Sequence, residues 1–330
     1  MIISHASDRS EDLIGKAPEG LVCAAGDFVI DPQRPVPRAV ITHAHADHAR
    51  PGSEMYYATR QSVPILRKRL GRQAIIAGVD YGEPLRFGRT TVSFHSAGHV
   101  LGSAQIRVSC GDEVWVVTGD FKRDADPTCA PFEPVPCDVL ISEATFALPI
   151  YRWPPGQDVA REVRDWWRVN ADNDRPSVLF CYSFGKAQRV LAELAGHTER
   201  PVLLHGAVQA ITELYDEAGV TMAPHAPMDL RTKRDYAGEL VIAPPGAAGS
   251  TWMRRFRRAR TGFCSGWMRV RGNRRRRGYD RGFVLSDHAD WPALLQTIED
   301  CAPRRVLLTH GHADTLVRFL NKRGQTAEAL

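Results

Sequence analysis

Along most of the chain, short apolar runs alternate with amphipathic stretches, and several of the runs stop at an acid or a histidine. Leu21 to Asp31 predicts short strands, with Pro32, Pro35 and Pro37 forming the connection to the next run. Ala39-Val40-Ile41-Thr42 predicts a buried strand, Thr90 to His95 alternates as a half-buried one, and Glu113 to Thr118 and Asp138 to Ser142 are strongly apolar. Ser62 to Leu70 predicts a basic helix. At Tyr151-Arg-Trp-Pro-Pro-Gly156 the pattern breaks. Beyond it, strands at Ser177–Cys181, Val202–His205 and Glu239–Ala243 alternate with helices at Asp158–Val169, Phe184–Leu194 and up to Gly219. That alternation predicts an α/β unit inserted into another. Strand patterns return at Gly282–Leu285 and Arg305–Thr309. The expected organisation is a first domain over 1–150, an inserted one over 151–272, and a return to the first over 273–330.

The polar residues that end these runs carry the chemistry. His43, His45, Asp47 and His48 fall within six residues, just after a predicted strand. Side chains two apart in extended chain share a face, so His43 and His45 converge on one point while Asp47 and His48 turn toward a second. This suits two metal ions. His99 lies between Gly98 and Gly102, which allow tight backbone around it. Asp120 follows the 113–118 strand, and its two oxygens could bridge two cations. Glu143 ends the next strand, and His288 and His310 follow the last two. A carboxylate at Asp31 could orient a ligand histidine through the ring's other nitrogen, with Asp27 a competitor for that role. The repetition at strand ends is what argues for a site, because parallel sheets gather their chemistry there.

Composition narrows the class. In 330 residues, 43% hydrophobic and 25% charged content is that of a globular protein with ample core. No secretory signal or membrane-spanning run is recognisable, which predicts a cytoplasmic protein. The seven cysteines are scattered without a paired motif, against a disulfide framework or a thiolate zinc site. The net charge of +5 is uneven: twelve arginines and a single acid, Asp280, lie between Arg254 and Arg281, and acids predominate elsewhere. Such a segment, with Arg254, Arg255 and Arg274, Arg275, Arg276 and Arg277 at its densest points, is the expected footprint for a polyanion, a solvated loop being the competing reading. Trp252, Phe256, Phe263 and Trp267 are interleaved with it and could stack on bases, although core packing is the commoner fate of such residues. Lys186, at a predicted helix start, could hold a phosphate.

In order, Asp31, His43-x-His45-x-Asp47-His48, Ala97-Gly98-His99, Thr118-Gly119-Asp120, Ser142-Glu143-Ala144-Thr145, Ser286-Asp287-His288 and Thr309-His310-Gly311 resemble the motifs of the metallo-β-lactamase fold and its β-CASP nuclease branch. Gly-Asp-Phe-Val-Ile-Asp-Pro, Ala-Pro-Pro-Gly-Ala-Ala-Gly and Leu-Ser-Asp-His-Ala-Asp-Trp look closer still to the bacterial ligase-associated DNA exonucleases, relatives of Artemis and RNase J. The resemblance implies an αββα sandwich with an inserted α/β β-CASP cap. It also implies one divalent ion, zinc or manganese, on His43, His45, His99 and Asp120 and a second on Asp47, His48, Asp120 and His310. Asp31 would support the first histidine ligands. Asp47 would accept a hydrogen bond from the attacking water, and Glu143 with His288 would form a proton-handling pair. The implied activity is DNA exonuclease action in repair, 5′ to 3′, in association with an ATP-dependent DNA ligase and a helicase. His310 departs from the Artemis type, which usually has valine there, and is shared with RNase J, so an RNase J-like ribonuclease is the alternative.

Overall fold

The computed structural model describes residues 12–229, 235–270, 272 and 278–330, and three sheets organise them. The first is built in chain order from β1 (Gly15–Ala17), β2 (Gly20–Cys23), β3 (Phe28–Ile30), β4 (Arg38–Val40), β5 (Met55–Thr59) and β6 (Ile76–Val79). The second takes β7 (Leu85–Phe87), β8 (Thr90–Ser96), β9 (Ala104–Cys110), β10 (Glu113–Val117) and β11 (Val139–Glu143). The third, β12 (Ser177–Phe180), β13 (Val202–Leu204), β14 (His225–Pro227), β15 (Leu240–Ala243), β16 (Arg260–Cys264) and β17 (Arg281–Phe283), then intervenes. The chain finally returns to complete the second sheet with β18 (Arg305–Thr309) and β19 (Thr326–Ala329), in the order β19-β18-β11-β10-β9-β8-β7.

Strand alternation explains the layering. Trp115 and Val117 of β10, Ile141 of β11 and Leu307 of β18 share one core with Cys23, Phe28, Ile30 and Val40, so the first two sheets pack face to face. The intervening residues Val116, Leu140, Val306 and Leu308 point the other way, onto helices α5 (Trp291–Cys301) and α6 (Ala313–Lys322). On the far side of the first sheet, Ala39, Ile41, Tyr56 and Ala58 pack on Ile65 and Leu66 of α1 (Val63–Leu70). Strands buried on both faces must be apolar throughout, which is why these runs were so legible.

The third sheet is parallel throughout, in the order β14-β13-β15-β12-β16-β17. Its helices are α2 (Gly156–Ala171), α3 (Lys186–Glu193) and α4 (Gly206–Glu217). The strand Arg281–Phe283 pairs with Arg260–Cys264, so hydrogen bonding carries this sheet beyond the expected boundary at 272. Phe184 and Tyr215 sit in the same core as Ile41, Tyr56 and Val100, and the Tyr215 hydroxyl accepts from the Leu101 amide at 3.2 Å. The unit built on the third sheet is therefore packed against the outer face of the first sheet through its helix Gly206–Glu217 and the loop after β12. No helix among the described residues is long and apolar enough to cross a membrane.

The polar ends of β3, β4, β10, β11, β17 and β18 all lead to one place. Two glycines permit the approach. Gly119 has φ +55°, and a Cβ there would lie 2.7 Å from the Thr42 Cβ. Gly311, at φ +63°, is pressed on the Ala144 carbonyl oxygen, which a Cβ would strike. Gly311→Ala is expected to destabilise the fold by more than the ~1–2 kcal/mol of the left-handed backbone alone. Thermal unfolding checks this; an unchanged Tm would mean that the turn after β18 relaxes.

Candidate metal centre

His43 and His45 leave the β4 loop, His99 leaves the turn between β8 and β9, and Asp120 follows β10. One ligand atom from each of the four lies within 4.8 Å of all the others. His43 Nε2 is 2.9 Å from His45 Nδ1, and His99 Nε2 is 3.2 Å from the same Nδ1. The Asp120 Oδ2 lies 3.5 Å from His43 Nε2, 3.7 Å from His99 Nε2 and 3.6 Å from His48 Nε2. A single carboxylate oxygen thus stands between the first three histidines and His48.

The outer partners of the rings fix where their protons sit. His99 Nδ1 donates to the Asp287 carbonyl oxygen at 2.7 Å, and His45 Nε2 donates to the Phe184 carbonyl oxygen at 3.3 Å. The Thr42 hydroxyl donates to Asp31 Oδ2 at 2.6 Å, so its oxygen accepts from His43 Nδ1 at 3.1 Å. Each neutral imidazole has one N–H, and here each spends it outward. Three lone pairs are therefore turned on one another with no hydrogen between them. A cation at their focus satisfies all three, and that is the test the donor set passes.

The electrostatics agree. Burial penalises the charged rings, taking His45 to about 4, His99 to about 3 and His43 well below the usual histidine range. All three rings are neutral at pH 7, the form in which an imidazole can hold a cation. Burial opposes the charge of Asp120, but His48 and the neighbouring rings outweigh it and hold the carboxyl below the usual range. Imidazole nitrogens and one carboxylate are a donor set for zinc or a similar divalent ion.

His48 differs. Burial works against its charge, yet Asp120 and Asp31 push it up to about 10. Its Nδ1 donates to Asp31 Oδ2 at 2.7 Å, while Nε2 faces Asp120 at 3.6 Å and Asp47 at 3.8 Å. The histidine that Asp31 touches directly is thus His48; the first histidine ligands are reached only at His43, through the Thr42 hydroxyl. Asp47 is largely exposed. His310 stands at the rim with its ring 6.1 Å from that of His48 and its backbone at φ +60°, a conformation uncommon outside glycine.

Glu143, the last residue of β11, is buried, and its Oε2 and Oε1 lie 2.9 and 3.1 Å from His288 Nδ1. Oε1 also accepts from the Phe121 amide at 2.8 Å. Burial disfavours the His288 cation, but Glu143 and Asp120 overcome this and raise the ring to about 9. Asp120, Glu143 and His288 have ligand atoms within 4.8 Å of one another, so the pair adjoins the metal cluster.

One expectation needs correction. Lys186, only 3% exposed, does not stand free at its helix start; its Nζ is 2.6 Å from Asp287 Oδ2, an ion pair that commits the ammonium. Phe256 and Phe263 are buried, and Trp252 and Trp267 pack against the same core, the commoner fate expected of them. Arg254 is exposed and Arg255 lies 5.8 Å over the Trp252 ring; neither lines the cleft above the metal cluster. Arg274 to Arg277 lie outside the described residues. What the sequence did not flag are Thr42, the Phe184 carbonyl and Asp287. Asp287 sits inside a motif already noticed, but a backbone carbonyl carries no residue-type signal.

No protein-family model matches the chain. A probable DNA ligase of Opitutus terrae is 33% identical over 96% of this chain, which spans 31% of that protein. Ribonuclease TTHA0252 of Thermus thermophilus is 25% identical over 52% of this chain and 46% of its own length, and an RNase J-like protein of Methanocaldococcus jannaschii 23% identical over 47% and 42%. The chain thus aligns with less than half the length of each of these relatives. A protein of unknown function from Enterococcus faecalis V583 has a similar fold, with a TM-score of 0.60 at 14% identity, over 89% of this chain and 78% of that one.

Asp120→Ala and His45→Ala are each expected to lower the metal bound per purified chain while leaving the circular-dichroism spectrum unchanged. Elemental analysis after dialysis against zinc reads the outcome; undiminished metal in both variants would remove the cluster as a binding site.

Proposed function

Because the chain belongs to the β-CASP family of metallo-β-lactamase-fold nucleases, we propose that it is a metal-dependent exonuclease of DNA, acting 5′ to 3′ in cytoplasmic DNA repair. The observation that carries a hydrolytic reading is the juxtaposition of two different devices. A focus of neutral imidazoles around the Asp120 carboxylate adjoins a buried carboxylate, Glu143, bonded to a protonated histidine, His288. The third sheet, with the chain from 151 to the strand Arg281–Phe283, would be the cap that closes over them.

In this reading one divalent ion, zinc or manganese, is held by His43, His45, His99 and Asp120. A second would be held by Asp47, His48, Asp120 and His310, which needs the His48 ring neutral, with its Nδ1 proton kept on Asp31. Such ions supply Lewis acidity toward a phosphodiester oxygen and make water a nucleophile near neutral pH. The chain's own groups do the rest. Asp47 accepts a hydrogen bond from the attacking water. Glu143 orients the His288 ring through Nδ1 and keeps it charged, so that Nε2 can deliver a proton to the departing sugar oxygen. Arginines of the 254–281 segment follow the strand beyond the cleft.

The DNA assignment rests on the Opitutus terrae relative. A protein named a probable DNA ligase contains, within a third of its length, a segment similar to nearly all of this chain. That supports a nuclease working with a DNA ligase on DNA ends; the ATP dependence of that ligase and a helicase partner rest on the motif resemblance alone. Relatives named ribonucleases, together with the histidine at 310, support an RNase J-like activity as the second reading.

The two are separated by incubating the purified protein with 5′- and 3′-labelled single-stranded DNA and matched RNA, with zinc, manganese or magnesium. DNA shortened from its 5′ end is expected, and degradation of RNA alone would overturn the DNA assignment. Loss of His288 by alanine substitution should lower kcat by about 10²–10⁴-fold, the usual worth of a positioned proton donor. Glu143→Gln should act through the ring's pKa. An acid must be protonated to work, activity is lost as pH rises through its pKa, and removing the carboxylate lowers that pKa. The alkaline limb of the pH–rate profile is therefore expected at lower pH than in the parent protein; an unmoved limb would exclude His288 as the acid.

A further inference from the structure

The cleft above the metal cluster is lined by Thr145, Phe146, Trp267 and His288, and also by Arg69 of α1, Tyr182 and Phe184 after β12, and Ile211 of α4. Most of its aromatic rings are already engaged. Phe146 packs on Trp153 and on Trp267, and Phe184 packs edge-on against His45, with ring centroids 4.7–4.9 Å apart. Tyr182 is different: 52% of it is exposed, and no ring contacts it among the described residues. The cations divide in the same way. Lys186 is paired with Asp287, whereas Arg69 has no carboxylate within ion-pair distance among the described residues. Its Nε donates to the Ala44 carbonyl oxygen inside the histidine motif, which anchors the guanidinium at the cleft wall and leaves its terminal amino groups available.

From this pairing we infer that Tyr182 and Arg69 form a nucleotide subsite beside the metal centre, the ring stacking on a base and the guanidinium holding the phosphate next to the one cleaved. The inference rests on the nucleic-acid reading above and deepens it. The position is right for such a contact. Phe184 touches the metal ligand His45 through both ring and carbonyl, and Tyr182 is two residues earlier, within about 7 Å of chain. The physics suits both groups. A base offers a π-face whatever its identity, so an exposed aromatic holds successive nucleotides without selecting sequence. A guanidinium fits a phosphate through two parallel hydrogen bonds. Both groups line the same cleft as His288, so a strand gripped by them would pass the metal cluster and the proton donor. Arg67 and Lys68, exposed in the same last turn as Arg69, add positive charge near it.

The test uses the full-length protein and end-labelled single-stranded oligonucleotides, DNA and RNA in parallel, carrying one abasic position moved stepwise along the strand. Parent protein is expected to lose on the order of tenfold in kcat/KM when one particular position is abasic. Tyr182→Ala should lose a similar factor on the intact strand and nothing further when that position is abasic. Tyr182→Trp should restore the parent behaviour, which excludes a role for the hydroxyl. Arg69→Gln should reduce the slope of log affinity against log salt by about 0.7 for a single strand. Metal content measured in each variant keeps the subsite separate from the metal centre. Independent losses at every abasic position in Tyr182→Ala would overturn the stacking contact, and an unchanged salt slope in Arg69→Gln would overturn the phosphate contact. If the parent cleaves neither strand, the nuclease reading itself fails.

Discussion

Three imidazole lone pairs aimed at one another are an arrangement that water would dissolve in an open chain. It persists here because every ring spends its N–H elsewhere: His43 on Thr42, His45 on the Phe184 carbonyl and His99 on the Asp287 carbonyl. Those outward bonds determine the tautomer of each ring and hence the direction of each lone pair. Asp120 completes the focus, and its oxygen also faces His48, whose proton is held by a second set of carboxylates. The rest of the molecule can be understood as the means of holding these bonds in place.

Two of the three outward bonds end on loops that follow strands of the third sheet. Phe184 follows β12 and Asp287 follows β17, so the third sheet orients two rings of the cluster. Asp287 is gripped in turn. Its carboxylate is ion-paired with Lys186, and Arg189 donates to the neighbouring Ser286 carbonyl at 2.6 Å and lies 3.3 Å from Asp126. These groups are all buried, where breaking one charge partner costs far more than it would on the surface. Burial works against the charge of Asp287, but Lys186 and Arg189 hold its carboxyl below the usual range. A lysine that looked like a phosphate ligand is thus part of the frame that positions His99. Lys186 acts on the His99 ring through the Asp287 backbone carbonyl, without direct contact.

The division of labour across the cleft follows from which groups are already committed. Charges and rings whose partners lie inside the protein fix geometry, and those left over face the solvent, where a substrate would meet them. That criterion separates Arg69 and Tyr182 from Lys186, Phe146 and Trp267, although all five line the same cleft. Residue type alone could not have done so, because a lysine at a helix start and an arginine at a helix end look equally available along a chain.

The strands that place the site were legible because strands buried on both faces must be apolar and must stop where a polar residue is wanted. For the same reason His43, His45, Asp120, Glu143, His288 and His310 stood out at or just after predicted strands, whereas His99 was marked by the glycines of its turn. Register and sheet membership were less legible: Arg281–Phe283 read as a return to the first unit, but its hydrogen bonds go to β16. The sequence by itself determined which side chains could hold a cation and that they recur at strand ends, since both are local properties of residue type and periodicity. Only the tertiary structure decided which ring nitrogen faces inward and which histidine Asp31 touches directly, and likewise whether a lysine is a ligand or a strut. The orientations of His45 and His99 and the pairing of Lys186 depend on partners more than a hundred residues away in the chain, Phe184 for the first and Asp287 for the other two, and the choice of His48 by Asp31 depends on how the loop after β4 folds back; no local pattern encodes either.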